Sequence, residues 1–169
     1  MSDSFKWQEE GNFKYDIGVV GGAGHIGLPL SIVFADSGFR TAVYDINSDA
    51  IDQICAGHVP FMEEGVSELL KSVLKSGNLE IYNTPNCISQ CEFLVVVIGT
   101  PVDEHLNPQY NHIIRAIDDI IHYLRDGQVL ILRSTVFPGI SQHLQKYLNE
   151  KGLSISVAFC PGRSHKVIV

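Results

Sequence analysis

Three glycines in a short turn have the spacing that binds the pyrophosphate of a dinucleotide. They belong to Gly22-Ala23-Gly24-His25-Ile26-Gly27, which follows an apolar run and precedes a segment with helical periodicity. In such a GxGxxG turn, Gly22 allows a tight turn, Gly24 lets the backbone approach the pyrophosphate, and Gly27 allows close packing of helix on strand. The following helix would direct free N–H groups and the positive end of its dipole at the anion.

An acidic residue at the end of the next apolar run indicates which dinucleotide binds. Asp45 follows Thr41–Tyr44, where a carboxylate can accept both hydroxyl groups of the adenosine ribose. A 2′-phosphate would meet this negative charge, and Ile46-Asn47-Ser48 supplies no arginine to neutralise it. We therefore predict NAD as the cofactor, and NADP is disfavoured. The alternative is a tight turn beside a surface aspartate that binds nothing. The residues predicted here to bind NAD are Gly22, Ala23, Gly24, His25, Ile26, Gly27 and Asp45.

Hydroxyl-bearing residues follow two further apolar runs. Thr100-Pro101 comes after one of them and Ser134-Thr135 after the other. If these runs are parallel strands, their ends reach the same sheet edge as the glycine turn. We expect Thr100 and Pro101 near the diphosphate or nicotinamide ribose, and Ser134 and Thr135 near the nicotinamide. Thr135 could position a water or the nicotinamide itself, although the hydroxyls could instead cap the helices that follow.

Alternating strands and helices are needed to bring these residues together. The strand-like runs are nearly continuous in Val, Ile and Leu, which favours a parallel sheet covered on both faces. Helical periodicity occupies the segments between them, and a glycine stands after each helix, where a left-handed cap is common. The pattern predicts an α/β, doubly wound Rossmann fold whose six-stranded, mostly parallel sheet has strand order 3-2-1-4-5-6 and helices on both faces. The predicted strands are Ile17–Val20, Thr41–Tyr44, Leu79–Tyr82, Phe93–Ile98, Val129–Leu132 and Ile155–Phe159. The predicted helices are Ile26–Ser37, Glu63–Ser76, Ile113–Leu124 and Ile140–Glu150, with Gly38, Gly77, Gly127 and Gly152 as their caps.

Length and charge limit the classes of partner. The 169 residues are 45% hydrophobic and suit one domain, which we place at residues 15–163 after a flexible arm at 1–14. A net charge of −7 argues against nucleic acid, and no apolar run is long enough to span a membrane. The N-terminus lacks the apolar stretch of a signal peptide. We expect a soluble, cytoplasmic protein.

The four cysteines show no metal-binding pattern. Cys55, Cys87, Cys91 and Cys160 form no CxxC pair, and no histidine stands beside them at ligand spacing. We predict no metal site. In a reducing cytosol these residues are expected to be free thiols that pack as small hydrophobes.

Taken together, the motifs resemble the nucleotide-sugar 6-dehydrogenases, the family of UDP-glucose, UDP-N-acetylmannosamine and GDP-mannose dehydrogenases. The resemblance implies an enzyme that uses two NAD to oxidise the C6 alcohol of a UDP-sugar to a carboxylate, through thiohemiacetal and thioester intermediates on a cysteine. It also implies a role in making precursors of polysaccharides. The matching segments are Gly22 to Pro29, Tyr44 to Asn47, Gly57 to Gly65, Gly99 to Val102 and Ser134 to Gly139.

Departures from the family pattern bear on catalysis. His25 replaces a usual tyrosine, Arg133 replaces a frequent glutamate, and Gly162 lacks the carboxylate of the family's Pro-Glu-Arg. None of the four cysteines matches the family's nucleophile position. We expect residues 164–169 to be a truncated tail, with the central helix and the substrate domain absent. By this interpretation the isolated chain binds NAD but does not turn over.

Two other functions remain open. Ser134, Tyr147 and Lys151 have the spacing of the catalytic triad of short-chain dehydrogenases, a class that includes nucleotide-sugar epimerases and reductases. A helix that begins near Ile140 would, however, carry Tyr147 and Lys151 away from the cofactor edge. The second alternative is a non-catalytic NAD-binding or interaction module that regulates or completes a separate chain. The partners that we consider besides NAD and a UDP-sugar are a second copy of this chain, in a homo-oligomer, or a separate chain bearing the substrate domain.

Overall fold

Six parallel strands form the centre of the fold. The computed structural model describes residues 13–61, 65–99, 110–133 and 139–160. The strand order is β3-β2-β1-β4-β5-β6, and all five neighbouring pairs are parallel. Sheet, order and direction confirm the predicted doubly wound fold. The strands are β1 Tyr15–Val20, β2 Thr41–Tyr44, β3 Leu79–Tyr82, β4 Cys91–Val96, β5 Val129–Leu132 and β6 Ser156–Phe159.

Helices lie between consecutive strands and cover both faces of the sheet. Each of the four predicted helices is present; Ile140–Glu150 has its predicted bounds, and the ends of the other three differ by a few residues. The helices are α1 Gly27–Asp36, α2 Ser48–Cys55, α3 Val66–Ser76, α4 Tyr110–Ile120 and α5 Ile140–Glu150. Short 3-10 helices occupy Pro85–Gln90 and Ile121–Tyr123.

Strand register brings the predicted site residues to one edge. Val20 of β1 pairs with Tyr44 of β2 and with Val96 of β4, and Val96 pairs with Leu132 of β5. The residues that follow these four therefore leave the sheet side by side. We call this end of the sheet the carboxyl edge.

Each face of the sheet has its own apolar core. On one face α1, α2 and α3 bury side chains such as Leu28, Ile54 and Leu70 against the first three strands. On the other face α4 and α5 bury Ile117 and Leu144 against β4 and β5. Covered faces explain why the strand runs read as continuously apolar.

Two local expectations need correction. Helix α2 was not anticipated, because Ser48–Cys55 is only eight residues long and carries just three buried side chains, Ala50, Ile51 and Ile54. Gly127 has the positive φ expected of a cap, at 86°, but it lies in the turn before β5 and not at a helix end. Its N–H donates to the carbonyl of Ser154.

Candidate dinucleotide site

The turn after β1 depends on Gly21. This residue has φ of +79°, and a Cβ there would lie 2.3 Å from the Val97 carbonyl oxygen. The N–H groups of Gly21 and Gly22 both donate to the Tyr44 carbonyl, at 2.8 and 3.2 Å. The left-handed residue of the tight turn is therefore Gly21, whereas the sequence interpretation gave that role to Gly22. The hydrogen bonds to Tyr44 and the closeness of Val97 together require glycine at position 21.

Gly22 and Gly27 are needed for packing. A Cβ on Gly22 would meet Val43 Cγ1 at 2.7 Å, so β2 leaves no room for a side chain. A Cβ on Gly27 would lie 2.5 Å from the Gly21 carbonyl oxygen and 2.6 Å from Gly22 Cα. Helix α1 thus starts in direct backbone contact with the end of β1, which is the close helix-to-strand approach that the motif predicts.

Gly24 differs from these glycines because it faces open space. It is exposed, and a Cβ there would have no described atom within 4 Å. The N–H groups of Gly24, His25 and Ile26 donate no hydrogen bond to any described residue, while the Gly24 carbonyl accepts from Leu28 N–H at 3.0 Å. The start of α1 has no side-chain cap. The turn therefore presents free donors and the positive end of a helix at the carboxyl edge.

The Asp45 carboxylate lies against this turn. Its Oδ2 accepts the Ala23 N–H at 2.9 Å, and its Oδ1 accepts the Asn47 N–H at 3.0 Å. Each oxygen retains a lone pair after these bonds. One fixed, partly exposed negative charge thus stands beside the free donors of the turn.

An aromatic contact at the turn was not foreseen. The His25 ring stacks on the Phe61 ring with centroids 4.2 Å apart and planes 33° apart. Phe61 follows α2 in the chain and packs on the core that α1, α2 and α3 share. Nothing in the sequence between the two residues predicts this contact, because it depends on how the unanticipated α2 returns the chain to the turn.

Four predicted cofactor residues lie outside the described part of the chain: Thr100, Pro101, Ser134 and Thr135. The strands that precede them do reach the carboxyl edge, since Val97 N–H donates to the Val20 carbonyl and Arg133 N–H to the Val96 carbonyl. The described site is therefore the turn, the start of α1 and Asp45. Its free donors and its carboxylate fit the diphosphate and the adenosine ribose of NAD.

Comparison with known proteins decides the family. The family model described as "UDP-glucose/GDP-mannose dehydrogenase family, NAD binding domain" matches residues 15–167. The chain belongs to this family. The UDP-glucose/GDP-mannose dehydrogenase family is one of oxidoreductases, and NAD is the cofactor that its matched domain binds.

Individual relatives are nucleotide-sugar dehydrogenases. The chain is 29% identical over 147 residues to UDP-N-acetyl-D-mannosamine dehydrogenase of Pyrococcus horikoshii, covering 84% of this chain and 35% of that protein. It is 30% identical over 149 residues to UDP-N-acetyl-D-glucosamine 6-dehydrogenase of Pseudomonas aeruginosa, covering 85% and 33%. The structure of the Staphylococcus aureus UDP-N-acetyl-mannosamine dehydrogenase superposes with a TM-score of 0.77 at 32% identity, covering 88% and 37%. The chain spans about a third of the length of these relatives.

In this dehydrogenase-family domain, Tyr147 and Lys151 make their contacts away from the dinucleotide site. The Tyr147 hydroxyl donates to the Asp118 carboxylate of α4, and Lys151 Nζ lies 5.2 Å from the Tyr147 ring centroid. The hydrogen bond to Asp118 raises the pKa of Tyr147. A tyrosine acting as acid or base near neutral pH needs the opposite shift. Both this geometry and the family match run against the short-chain dehydrogenase alternative.

The cysteines of this dehydrogenase-family domain are all free thiols. Cys87 and Cys91 are buried; burial raises the pKa of Cys87 to about 11 and raises that of Cys91 still further. Cys55 of α2 is exposed as a residue, but partial burial also raises the pKa of its thiol. Cys160 is exposed at the end of β6, and its Sγ lies 4.0 Å from Nη1 of Arg133.

The described ranges contain neither a metal-binding cluster nor a membrane-spanning helix. No group of three or more His, Cys, Asp or Glu side chains there is arranged to hold a metal ion. Within the same ranges, no helix is both long and apolar enough to cross a membrane.

Proposed function

We propose that this chain binds NAD with its diphosphate over Gly22 to Gly27 and its adenosine ribose on Asp45. The observation that carries the proposal is the hydrogen bond from Ala23 N–H to Asp45, because it holds the carboxylate beside the turn. The free N–H groups of Gly24, His25 and Ile26 are the donors for the diphosphate. Gly24 is a glycine because the ligand, and not the protein, needs the space where a side chain would lie.

Asp45 also accounts for a preference for NAD over NADP. Both of its oxygens already accept a backbone N–H, so the carboxylate has little freedom to turn away from a 2′-phosphate. The exposed Ile46 that follows supplies no compensating charge. A 2′-phosphate placed there would therefore be repelled.

The reacting end of the cofactor would lie farther along the carboxyl edge. When bound, NAD would supply the hydride acceptor for the oxidation. We assign Thr100 and Pro101 to the diphosphate or nicotinamide ribose, and Ser134 and Thr135 to the nicotinamide. Thr135 is the candidate for positioning a water or the nicotinamide. The support is that β4 lies beside β1 and β5 beside β4, so that both strands end at the carboxyl edge.

For the whole protein we propose a nucleotide-sugar 6-dehydrogenase that oxidises the C6 alcohol of a UDP-sugar to a carboxylate with two NAD. The relatives named above support this substrate class, and their printed names include both UDP-N-acetylmannosamine and UDP-N-acetylglucosamine enzymes. Residues 15–163 would form its NAD-binding domain, after an arm at residues 1–14. The sugar-binding groups would come from a further domain or from a partner chain. Free thiols at all four cysteines are consistent with a cytoplasmic protein.

We also propose that this chain alone does not oxidise a nucleotide sugar. Thioester chemistry needs a thiolate, and the raised pKa values of Cys55, Cys87 and Cys91 keep these groups protonated at neutral pH. Cys160 is the exposed thiol at the carboxyl edge and is the one to test. No NADH should form with UDP-glucose or UDP-N-acetylmannosamine. Formation of NADH that disappears in C160S would show that Cys160 acts as the nucleophile and would refute the proposal.

The binding proposal is tested by calorimetric titration of the chain with NAD and with NADP. NAD should bind at one site per chain, and NADP should bind at least about tenfold more weakly because of the repulsion at Asp45. Equal affinity for the two dinucleotides would refute the role of Asp45. Absence of heat with NAD up to millimolar concentration would refute the proposed function.

A further inference from the structure

Phe61 contacts the glycine turn from a distant part of the chain. Its ring is partly buried in the core formed by α1, α2 and α3, and it stacks on the exposed ring of His25. His25 is the central residue of the three whose backbone N–H groups donate to no described residue. The stack therefore joins the donors of the turn to the core on one side of the sheet.

The other described supports of the turn are hydrogen bonds, and none of them involves the His25 side chain. Gly21 and Gly22 are fixed by the Tyr44 carbonyl, and Ala23 is fixed by Asp45. Beyond Ala23, two backbone hydrogen bonds from α1 return to the turn, from Leu28 N–H to the Gly24 carbonyl and from Leu30 N–H to the Ile26 carbonyl. No side chain caps the start of α1. The ring contact at His25 thus adds a side-chain restraint to these backbone bonds at positions 24 to 26.

We infer that Phe61, acting through His25, is a positioning residue for the diphosphate of NAD. Donors that are ordered before the ligand arrives bind more tightly, because less conformational entropy is lost on binding. A stacked aromatic pair contributes enough to matter at this site, about 0.5–1.5 kcal/mol beyond the area that it buries. This corresponds to about a two- to tenfold effect on the dissociation constant of NAD. The inference rests on the proposed binding mode and adds a residue that no sequence motif assigned to it.

A double-mutant cycle tests this inference. The variants are H25A, F61L and H25A/F61L, and the dissociation constant for NAD is measured by calorimetry on the full chain. F61L keeps an apolar side chain in the core but removes the ring, and H25A changes an exposed side chain, so folding should survive both. Each single variant should weaken NAD binding about two- to tenfold. The double variant should be no weaker than the more impaired single variant, since either change breaks the same contact.

Two controls separate positioning from a general structural effect. V59A removes packing from the same segment and the same core without touching His25, and it should leave NAD affinity unchanged while lowering thermal stability. F61Y keeps the ring and should restore NAD affinity. Adenosine, which has no phosphate, is the second probe. Its affinity, followed by NMR titration, should be the same in all the variants, because Asp45 and not the turn contacts its ribose.

The outcomes are distinct. Unchanged NAD affinity in F61L, effects that simply add in the double variant, or an equal loss of adenosine binding would each overturn the inference while leaving NAD binding by the chain intact. Failure of the unmodified chain to bind NAD would instead remove the proposed function and this inference with it.

Discussion

The Asp45 carboxylate accepts the backbone N–H of Ala23 at 2.9 Å, so the end of β2 and the turn after β1 form one rigid unit. The same carboxylate accepts the Asn47 N–H and so also fixes the start of the segment that leads into α2. A ribose bound by Asp45 and a diphosphate bound by the turn would therefore be held at a set separation. This rigidity is what an extended cofactor requires of its site.

The first prediction contrasts Gly24 with Gly27. G24V should leave stability nearly unchanged, because its side chain enters space free of described atoms, and should weaken NAD binding at least about tenfold by occupying the ligand's position. G27A should instead act mainly on stability. Its Cβ collides with backbone at 2.5 Å, so the free energy of unfolding should fall by about 1–3 kcal/mol.

Urea unfolding and NAD calorimetry on both variants distinguish the two roles. A G24V chain that binds NAD normally would remove the ligand-based explanation of Gly24. A G27A chain as stable as the original would mean that α1 can move away from β1.

The second prediction concerns Gln128, which is buried at the start of β5. Its Nε2 donates to the carbonyls of Ile88 and Cys91, at 2.8 and 2.6 Å, and its Oε1 accepts the Arg125 N–H at 2.7 Å. Q128A removes the side-chain partner of all three backbone groups and leaves a cavity, and should lower the free energy of unfolding by about 2–4 kcal/mol. The exposed Gln142 of α5 offers the control, because Q142A should cost almost nothing. Equal stability of the two variants would contradict the burial argument.

The third prediction concerns Asp16, which joins the start of β1 to Arg40. Burial would raise the pKa of Asp16, but hydrogen bonds from the Arg40 side chain and N–H, the latter at 2.8 Å, outweigh it and hold the pKa below its ordinary value of 3.8. A carboxylate with a lowered folded-state pKa stabilises the fold above that ordinary value, and the contribution is lost as pH falls through the folded-state pKa.

Urea unfolding as a function of pH should therefore separate D16N from the original chain. The variant should be less stable by up to about 1 kcal/mol at pH 7, a modest figure because the pair is partly exposed, and the gap should close as the pH is lowered below 3.8. The exposed Asp36 supplies the comparison, since D36N should show no such closing gap. If the difference in stability between D16N and the original chain grew as the pH fell, the pKa of Asp16 would not be lowered by folding.

Much of the fold could be predicted from sequence because its determinants are local. Continuous apolar strands, helical periodicity and glycines after helices are written in short windows, and β2, β3, β5 and α5 were placed with their observed bounds. Asp45 could be placed at the carboxyl edge because it ends a strand that must lie beside β1.

What sequence could not supply depends on contacts between distant segments. Gly21 has a positive φ and leaves no room for a Cβ beside the carbonyl of Val97, which follows β4, and no local pattern reveals this. The stacking of His25 on Phe61 depends on the path of the chain after α2, and α2 itself is too short for its periodicity to stand out. The roles of Thr100 and Thr135 remain predictions.

The most direct test of the central claim is the NAD dissociation constant of D45A beside that of D49A. Asp49 lies in the first turn of α2, close in sequence and exposed, so its removal alters local charge without touching the glycine turn. Loss of charged hydrogen bonds to the ribose should weaken NAD binding by D45A about 10- to 100-fold, while D49A should stay near the original value. If D45A binds NAD as tightly as D49A does, Asp45 does not hold the cofactor and the account of the site is wrong.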